Sequence, residues 1–208
     1  TTAQTTGAGR TEAWWSPPFG EADRLGALNH LSPQIVKQAA RLVKTGKVYT
    51  LGVKTGPTTP AFGARTYSVE RLPSGGSDFT PDGSQRVTAF DERVTTSMGI
   101  GTQIDGLAHL GVDHHYYNGV TGAEVAHSHA LDLASIPPIV TRGVLIDMAR
   151  HFKKPMLEVG DVFNSAEIKA AARAQNVKIR KGDVVLFHTG WLAKADSDPE
   201  AFRSTEPG

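Results

Sequence analysis

Cysteine is absent from all 208 residues. That removes disulfides, cysteine-ligated zinc and thiol nucleophiles together, and it leaves the redox compartment open. Any metal must then be held by His, Asp, Glu, Asn, Gln or water, a donor set for harder or borderline ions. Charge of one sign is also lacking: 22 Lys and Arg face 21 Asp and Glu, a formal net charge of +1. Such a balance draws neither a nucleic-acid footprint nor an anchor for an anionic membrane. No apolar run reaches the length of a membrane span, and no signal peptide is recognisable. The chain is therefore expected to be soluble, cytoplasmic or periplasmic, with a small molecule as its partner. A Gly-x-Ser-x-Gly elbow is missing too, and Ser97 has no evident partner, which argues against a serine nucleophile.

What is present reads as one globular domain over residues 1–208, long enough to bury a core. Residues 1–13 are polar and aperiodic, a loose tail, and the start at Thr1 suggests a processed or trimmed chain. Trp14-Trp15-Ser16-Pro17-Pro18-Phe19 follows. Two tryptophans beside two prolines predict a rigid, non-helical segment; Trp14 is read as a strap over the core, and Trp15 as either strap or pocket wall. "LSPQIVKQAARLVKTG" predicts a helix capped by Ser32, with Pro33 in its first turn, an apolar face of Ile35, Val36, Ala39, Leu42 and Val43, and Gly46 at its end. "KVYTLGV" then predicts a strand. Residues 72–86 form a turn-rich loop whose length suits a lid. "RVTAFDERVTTSMGI" and "IVTRGVLIDMA" predict strands, the second buried around Val144–Ile146. "NSAEIKAAARAQNV" predicts a helix with Ile168, Ala171, Ala172 and Val177 inward. "KGDVVLFHTGW" predicts a strand over Asp183–His188, turning at Gly190.

Eight histidines occur, five of them between His109 and His129, a concentration of the side chain that titrates near neutral pH. His114 and His115 read as surface or pocket rim. His127 and His129 have the spacing of two ligands on one strand face, or lie in a solvated turn. Gln103, Asp105 and His109 are more suggestive. An extended backbone from Thr102 to Asp105 points Gln103 and Asp105 to one side. A helical turn from Gly106 then returns His109 to the face of Asp105. Gly99, Gly101 and Gly106 permit the bends. A carboxylate, an amide and an imidazole so placed can bind Zn or Mn and leave room for water. Equally, Asp105 can cap a helix and His109 can bond to a neighbouring strand.

"GTQIDGLAHLG", Gly101–Gly111, resembles the signature of the cyclase family of metal-dependent hydrolases, which includes bacterial kynurenine formamidase and isatin hydrolase. The usual signature is a His, then Gly-Thr-His-x-Asp, then a His four residues after the Asp. "DRLGALNHLSP", "YYNG", "IVTRGVLIDM" and "GDVVLFHTGW" resemble further family segments, so the similarity covers most of the chain. By position, Asp105 falls on a metal-ligand aspartate and His109 on the histidine of proton transfer. The other two histidine ligands fall on Gly99 and Gln103, and glutamine can ligate through its carbonyl oxygen.

The resemblance implies an α/β fold, a swivelling β/β/α arrangement with a mixed barrel-like sheet flanked by helices. It implies a divalent metal, Zn or Mn, held by Asp105 and Gln103, and metal-activated water that cleaves an amide, ester or lactone of a small cyclic or aromatic substrate. Trp15 and Phe62 are candidates to stack on that substrate, and Thr102 lies between Gly101 and Gln103 as a further binding residue able to orient Asp105. Relatives form homo-oligomers and continue beyond Gly208, so the C-terminal part of the domain is expected to be missing. The alternative is a non-catalytic small-molecule-binding protein on the same scaffold, which Gly99 and Gln103 favour.

Overall fold

A computed structural model describes Trp15 and residues 18–73, 81 and 83–205. The expected tail 1–13, the strap residue Trp14 and the centre of the 72–86 loop (74–80 and 82) lie outside the described residues. The chain divides into two compact units, Thr1–Gly46 with Ile104–Ile146 and Ala172–Leu186, and Lys47–Gln103 with Asp147–Ala171 and Phe187–Gly208.

In the first unit, helix α1 spans Pro33–Ala40, with Ser32 Oγ accepting from the Ile35 N–H at 3.3 Å. It is shorter than expected. Turn bonds from Leu42 N–H to the Ala39 carbonyl and from Val43 N–H to the Ala40 carbonyl replace the helical pattern, leaving Leu42 and Val43 exposed and Gly46 beyond the helix. Helix α2, Gly122–Ser128, opens on a capping box: Thr121 Oγ1 accepts from the Glu124 N–H, and the Glu124 carboxylate accepts from the Thr121 N–H. Strand β3, Gly143–Asp147, pairs with β4, Val184–His188. Val144 and Ile146 are buried, as their place in a continuous apolar run predicts. Arg142 locks the start of this pair, with Nε and Nη2 on the two oxygens of Asp183 at 3.0 and 2.6 Å. Val120, Leu131 and Ala172 complete the buried apolar residues of this unit.

In the second unit, β1 (Tyr67–Pro73) and β2 (Phe90–Thr96) pair antiparallel, Val69 opposite Val94 and Glu70 opposite Arg93. The sequence gives little sign of β1 because its residues are mostly exposed on both faces and so do not alternate. Opposite charges at Glu70/Arg93 and Arg71/Glu92 favour this register. The ribbon leads into the Gly99 loop, with Ser97 N–H on the Thr66 carbonyl at 2.9 Å. Helix α3 (Met148–His151) is capped by Asp147. Met148, Ala149, Leu157, Ala171 and Ile100 are the buried apolar residues of this unit among those described. Helix α4 runs Ser165–Ala174, with Ala171 and Ala172 inward as expected. Two short helices follow, α5 (Ala193–Ser197) and α6 (Pro199–Ser204).

One expectation changes. "KVYTLGV" forms no strand: no described residue pairs with it as a ladder partner, and Val48, Tyr49 and Leu51 stand exposed. Extended propensity without a neighbour to take its N–H and C=O groups makes a loop. Among the described residues the strands form two two-stranded sheets and close no barrel. The mixed α/β class stands. No helix among the described residues is long and apolar enough to cross a membrane.

Candidate functional site

Within the first unit, the His109 N–H bonds the Gly106 carbonyl at 3.0 Å. This turn carries the imidazole back toward Asp105, with Nδ1 to Oδ1 at 3.9 Å and both side chains about half exposed (49% and 48%). Asp105 caps no helix. Neither side chain has another hydrogen-bond partner among the described residues, so lone pairs of a carboxylate and an imidazole remain available side by side. Asp105 also borders a small apolar pocket of about 190 Å³ lined by Leu25, Leu28, Leu107, Leu133 and Ile136. A catalytic zinc takes three protein ligands, and among the described residues no three His, Asp or Glu side chains gather to hold a metal.

The other histidines of the cluster disperse. His127 lies in α2 and His129 ends it in a left-handed conformation (φ 56°), so the two share no strand face. His129 turns to Asp132 at 3.1 Å. His115 stacks on Trp15, ring centroids 4.9 Å apart and planes 10° from parallel. Trp15 also lies against Gly119, where a Cβ would meet the indole Nε1 at 2.6 Å. Trp15 is thus packed between an imidazole and a glycine, which explains why "YYNG" ends in glycine.

A polar clamp in this unit has no local signature in the sequence. Asp23 accepts from Tyr117 Oη at 2.7 Å, Asn29 Nδ2 at 2.6 Å and the Gly26 N–H at 2.9 Å. Asn118 Nδ2 donates to the carbonyls of Gly20, Glu21 and Asp23. Burial works against the Asp23 charge, but the hydrogen bonds outweigh it and bring the carboxyl down to about 2. Burial and the bond to Asp23 push the Tyr117 phenol up to about 12. The partners are 94 residues apart; the only sequence sign was that "DRLGALNH" and "YYNG" each carry polar residues in turn-forming surroundings.

Within the second unit, a cleft of about 730 Å³ is lined by Gly99, Gly101, Thr102, Gln103, Phe62 and Arg65, with Lys54 and Asp196 also on its wall. Three predicted residues, Gln103, Thr102 and Phe62, therefore line one cavity. Thr102 does not orient a carboxylate there: its Oγ1 accepts from the Val53 N–H at 2.8 Å. Phe62 packs near Phe202, centroids 6.1 Å apart. A side chain at Gly99 would meet Arg65 Nε at 2.9 Å and Gln103 Oε1 at 3.1 Å, so the guanidinium fills the volume that glycine vacates.

At the end of β4, His188 Nδ1 bonds Asp147 Oδ1 at 3.0 Å. This bond, with the Arg150 N–H, holds the Asp147 carboxyl below the usual range. Trp191, three residues on, is half-buried, and its Nε1 has no hydrogen-bond partner among the described residues.

These features coincide with a family. The family described as "Putative cyclase" matches residues 20–208, and the chain belongs to it. A crystal structure described as that of a novel cyclase superposes with a TM-score of 0.76 at 28% identity, covering 89% of this chain and 64% of that one. This chain thus spans less than two thirds of that structure's length. No curated protein matches the chain.

Proposed function

We propose that this cyclase-family chain is a metal-dependent hydrolase that cleaves an amide, ester or lactone bond of a small cyclic or aromatic substrate. The observation that carries the reading is the Asp105–His109 pair, 3.9 Å apart, on the signature motif and without other partners among the described residues. Asp105 and Gln103 are its proposed metal ligands and Zn or Mn its ion, with the remaining donors supplied by groups other than the described cluster. A divalent ion, when bound, supplies the acidity that makes water a nucleophile near neutral pH and polarises the scissile carbonyl. His109 gives or takes the proton, a role worth roughly 10²–10⁴-fold in rate. Phe62, on the wall of the 730 Å³ cleft, offers an aromatic face to a planar substrate, whereas Trp15 is packed between His115 and Gly119. The reading includes one hydrolase domain over residues 1–208, a barrel-like β/β/α sheet in the longer family domain, and a homo-oligomer, which light scattering measures directly.

The test is hydrolysis of an N-formyl arylamine and an aryl lactone by the purified chain, with and without chelator and with added Zn or Mn. His109→Ala should lower kcat/KM by about 10²–10⁴-fold while leaving the fold intact. Undiminished turnover in that variant, or turnover indifferent to chelator, sinks the proposal. The glycine at 99, with a guanidinium in its space, favours a second reading, a small-molecule-binding protein without catalysis. It predicts ligand binding with no turnover under any metal.

A further inference from the structure

We propose that the cleft of the second unit is a carboxylate-binding site whose anchor is Arg65, and that Gly99 is there to make room for it. Two cations, Lys54 and Arg65, line the cleft against one acid, Asp196, for a net of one positive charge. Among the described residues none of the three side chains makes an ion pair or hydrogen bond, so the cleft keeps its net positive charge. The Gln103 amide and the Phe62 ring stand on the same wall. At Gly99 the guanidinium Nε and Cζ lie 2.9 and 3.2 Å from where a Cβ would be, and Gln103 Oε1 lies 3.1 Å from it. Any side chain at 99 must push Arg65 aside. The planar guanidinium presents a fork that matches a carboxylate in two parallel bonds. The Gln103 Nε2 can donate to the same anion, and Phe62 gives an apolar flank to the body of the ligand. The volume suits a molecule of drug-like size or smaller. The occupant is therefore a small organic acid with an apolar or aromatic body.

This inference stands apart from hydrolysis, because it concerns affinity and needs no metal. The experiment titrates chelator-treated full chain with benzoate and, in parallel, with benzamide, by calorimetry or by ligand-observed NMR. Benzoate should bind at least ten-fold more tightly than benzamide. Arg65→Gln should abolish that preference with unchanged circular dichroism. Gly99→Ala should weaken benzoate several-fold without lowering the melting temperature, since the displaced group is a flexible side chain. Lys54→Gln should lessen the salt dependence and keep most of the preference. Equal binding of the two probes, or a preference that survives Arg65→Gln, overturns the proposal. Benzoate binding without any hydrolytic turnover leaves it standing and counts against the hydrolase reading alone.

Discussion

Gly190 closes β4 at φ 76°, in the left-handed region, and a Cβ there would sit 2.7 Å from the Pro155 carbonyl oxygen and 2.9 Å from Met156 Cα. Both neighbours are backbone and cannot rotate away. Their segment is tied back by the Leu157 N–H on the Thr189 carbonyl at 2.8 Å. Gly190→Ala therefore costs twice: roughly 1–2 kcal/mol for a left-handed alanine and roughly 1–3 kcal/mol for forced overlap. Gly160 provides the control, at φ 90° with nothing within 4 Å of its Cβ position, so Gly160→Ala carries the first cost alone. Urea unfolding of wild type and both variants gives the comparison, with unchanged m-values as the condition for reading midpoints as stability. Gly160→Ala should lose about 1–2 kcal/mol, and Gly190→Ala should lose a further 1–3, about 2–12 °C in melting temperature for a chain of this size. Equal losses in the two variants would refute the argument that backbone contact, rather than dihedral strain, demands glycine at 190. Leu192 lies two residues on and lines the carboxylate cleft, so the Gly190 variant should weaken benzoate as well.

Three further outcomes follow from the hydrogen bonding. Asp183, almost fully buried, holds Arg142 in two bonds and also accepts the Arg180 N–H at 2.6 Å; Asp183→Asn should lower unfolding free energy by about 2–4 kcal/mol, somewhat less than a fully buried pair because Arg142 is partly exposed. Asp147, Asp161 and Asp183 are held below their usual range chiefly by His188, Lys154 and Arg142, and Asp23 is brought to about 2. Groups depressed in the folded state stabilise it fully above their unfolded values near 4 and cease to as pH falls through the folded ones, so the urea midpoint should hold from pH 7 to 5 and decline steadily from 4 to 2; a midpoint still flat at pH 2 contradicts this. Thr121→Ala removes one half of the α2 capping box and should cost about 0.5–2 kcal/mol, largely restored in Thr121→Ser, as read from the same unfolding curves.

Legibility from sequence followed the range of the interaction. Ser32 and Pro33 announced α1 because a cap is a local device. The buried run at Val144 and Ile146, and the alanine face of α4, announced themselves by apolar pattern. The four-residue return from Asp105 to His109 was likewise readable, since one turn fixes it. Strand status is different, because it is conferred by a partner. "KVYTLGV" has the residues of a strand and no ladder partner among the described residues, while Tyr67–Pro73 has poor alternation and a full partner in β2. The Asp23 clamp and the Arg65 guanidinium at Gly99 were hidden for the same reason: each joins residues tens of positions apart, with no periodicity to betray them.

The signature changes its electrostatic sense along its own length. The resemblance puts imidazole ligands at 99 and 103, which attract a cation. Here position 99 offers only space, filled by the Arg65 guanidinium, and position 103 offers a neutral amide. A unit charge about 4 Å from another interacts by about 4 kcal/mol at the effective dielectric of a protein surface, and a divalent ion by about twice that. With that sign, the proposed subsite beside Arg65 favours a carboxylate. Asp105 and His109 keep the opposite preference, as a carboxylate and an imidazole with free lone pairs. Hydrolysis of an amide or lactone creates a carboxylate from a neutral carbonyl. A group that favours the anion over the neutral precursor favours product over substrate, so tight benzoate binding at Arg65 bears on affinity and not on turnover. The Arg65 cleft and the Asp105–His109 pair therefore predict separate behaviours: benzoate binding that survives chelator and is lost in Arg65→Gln, and turnover that is lost in His109→Ala.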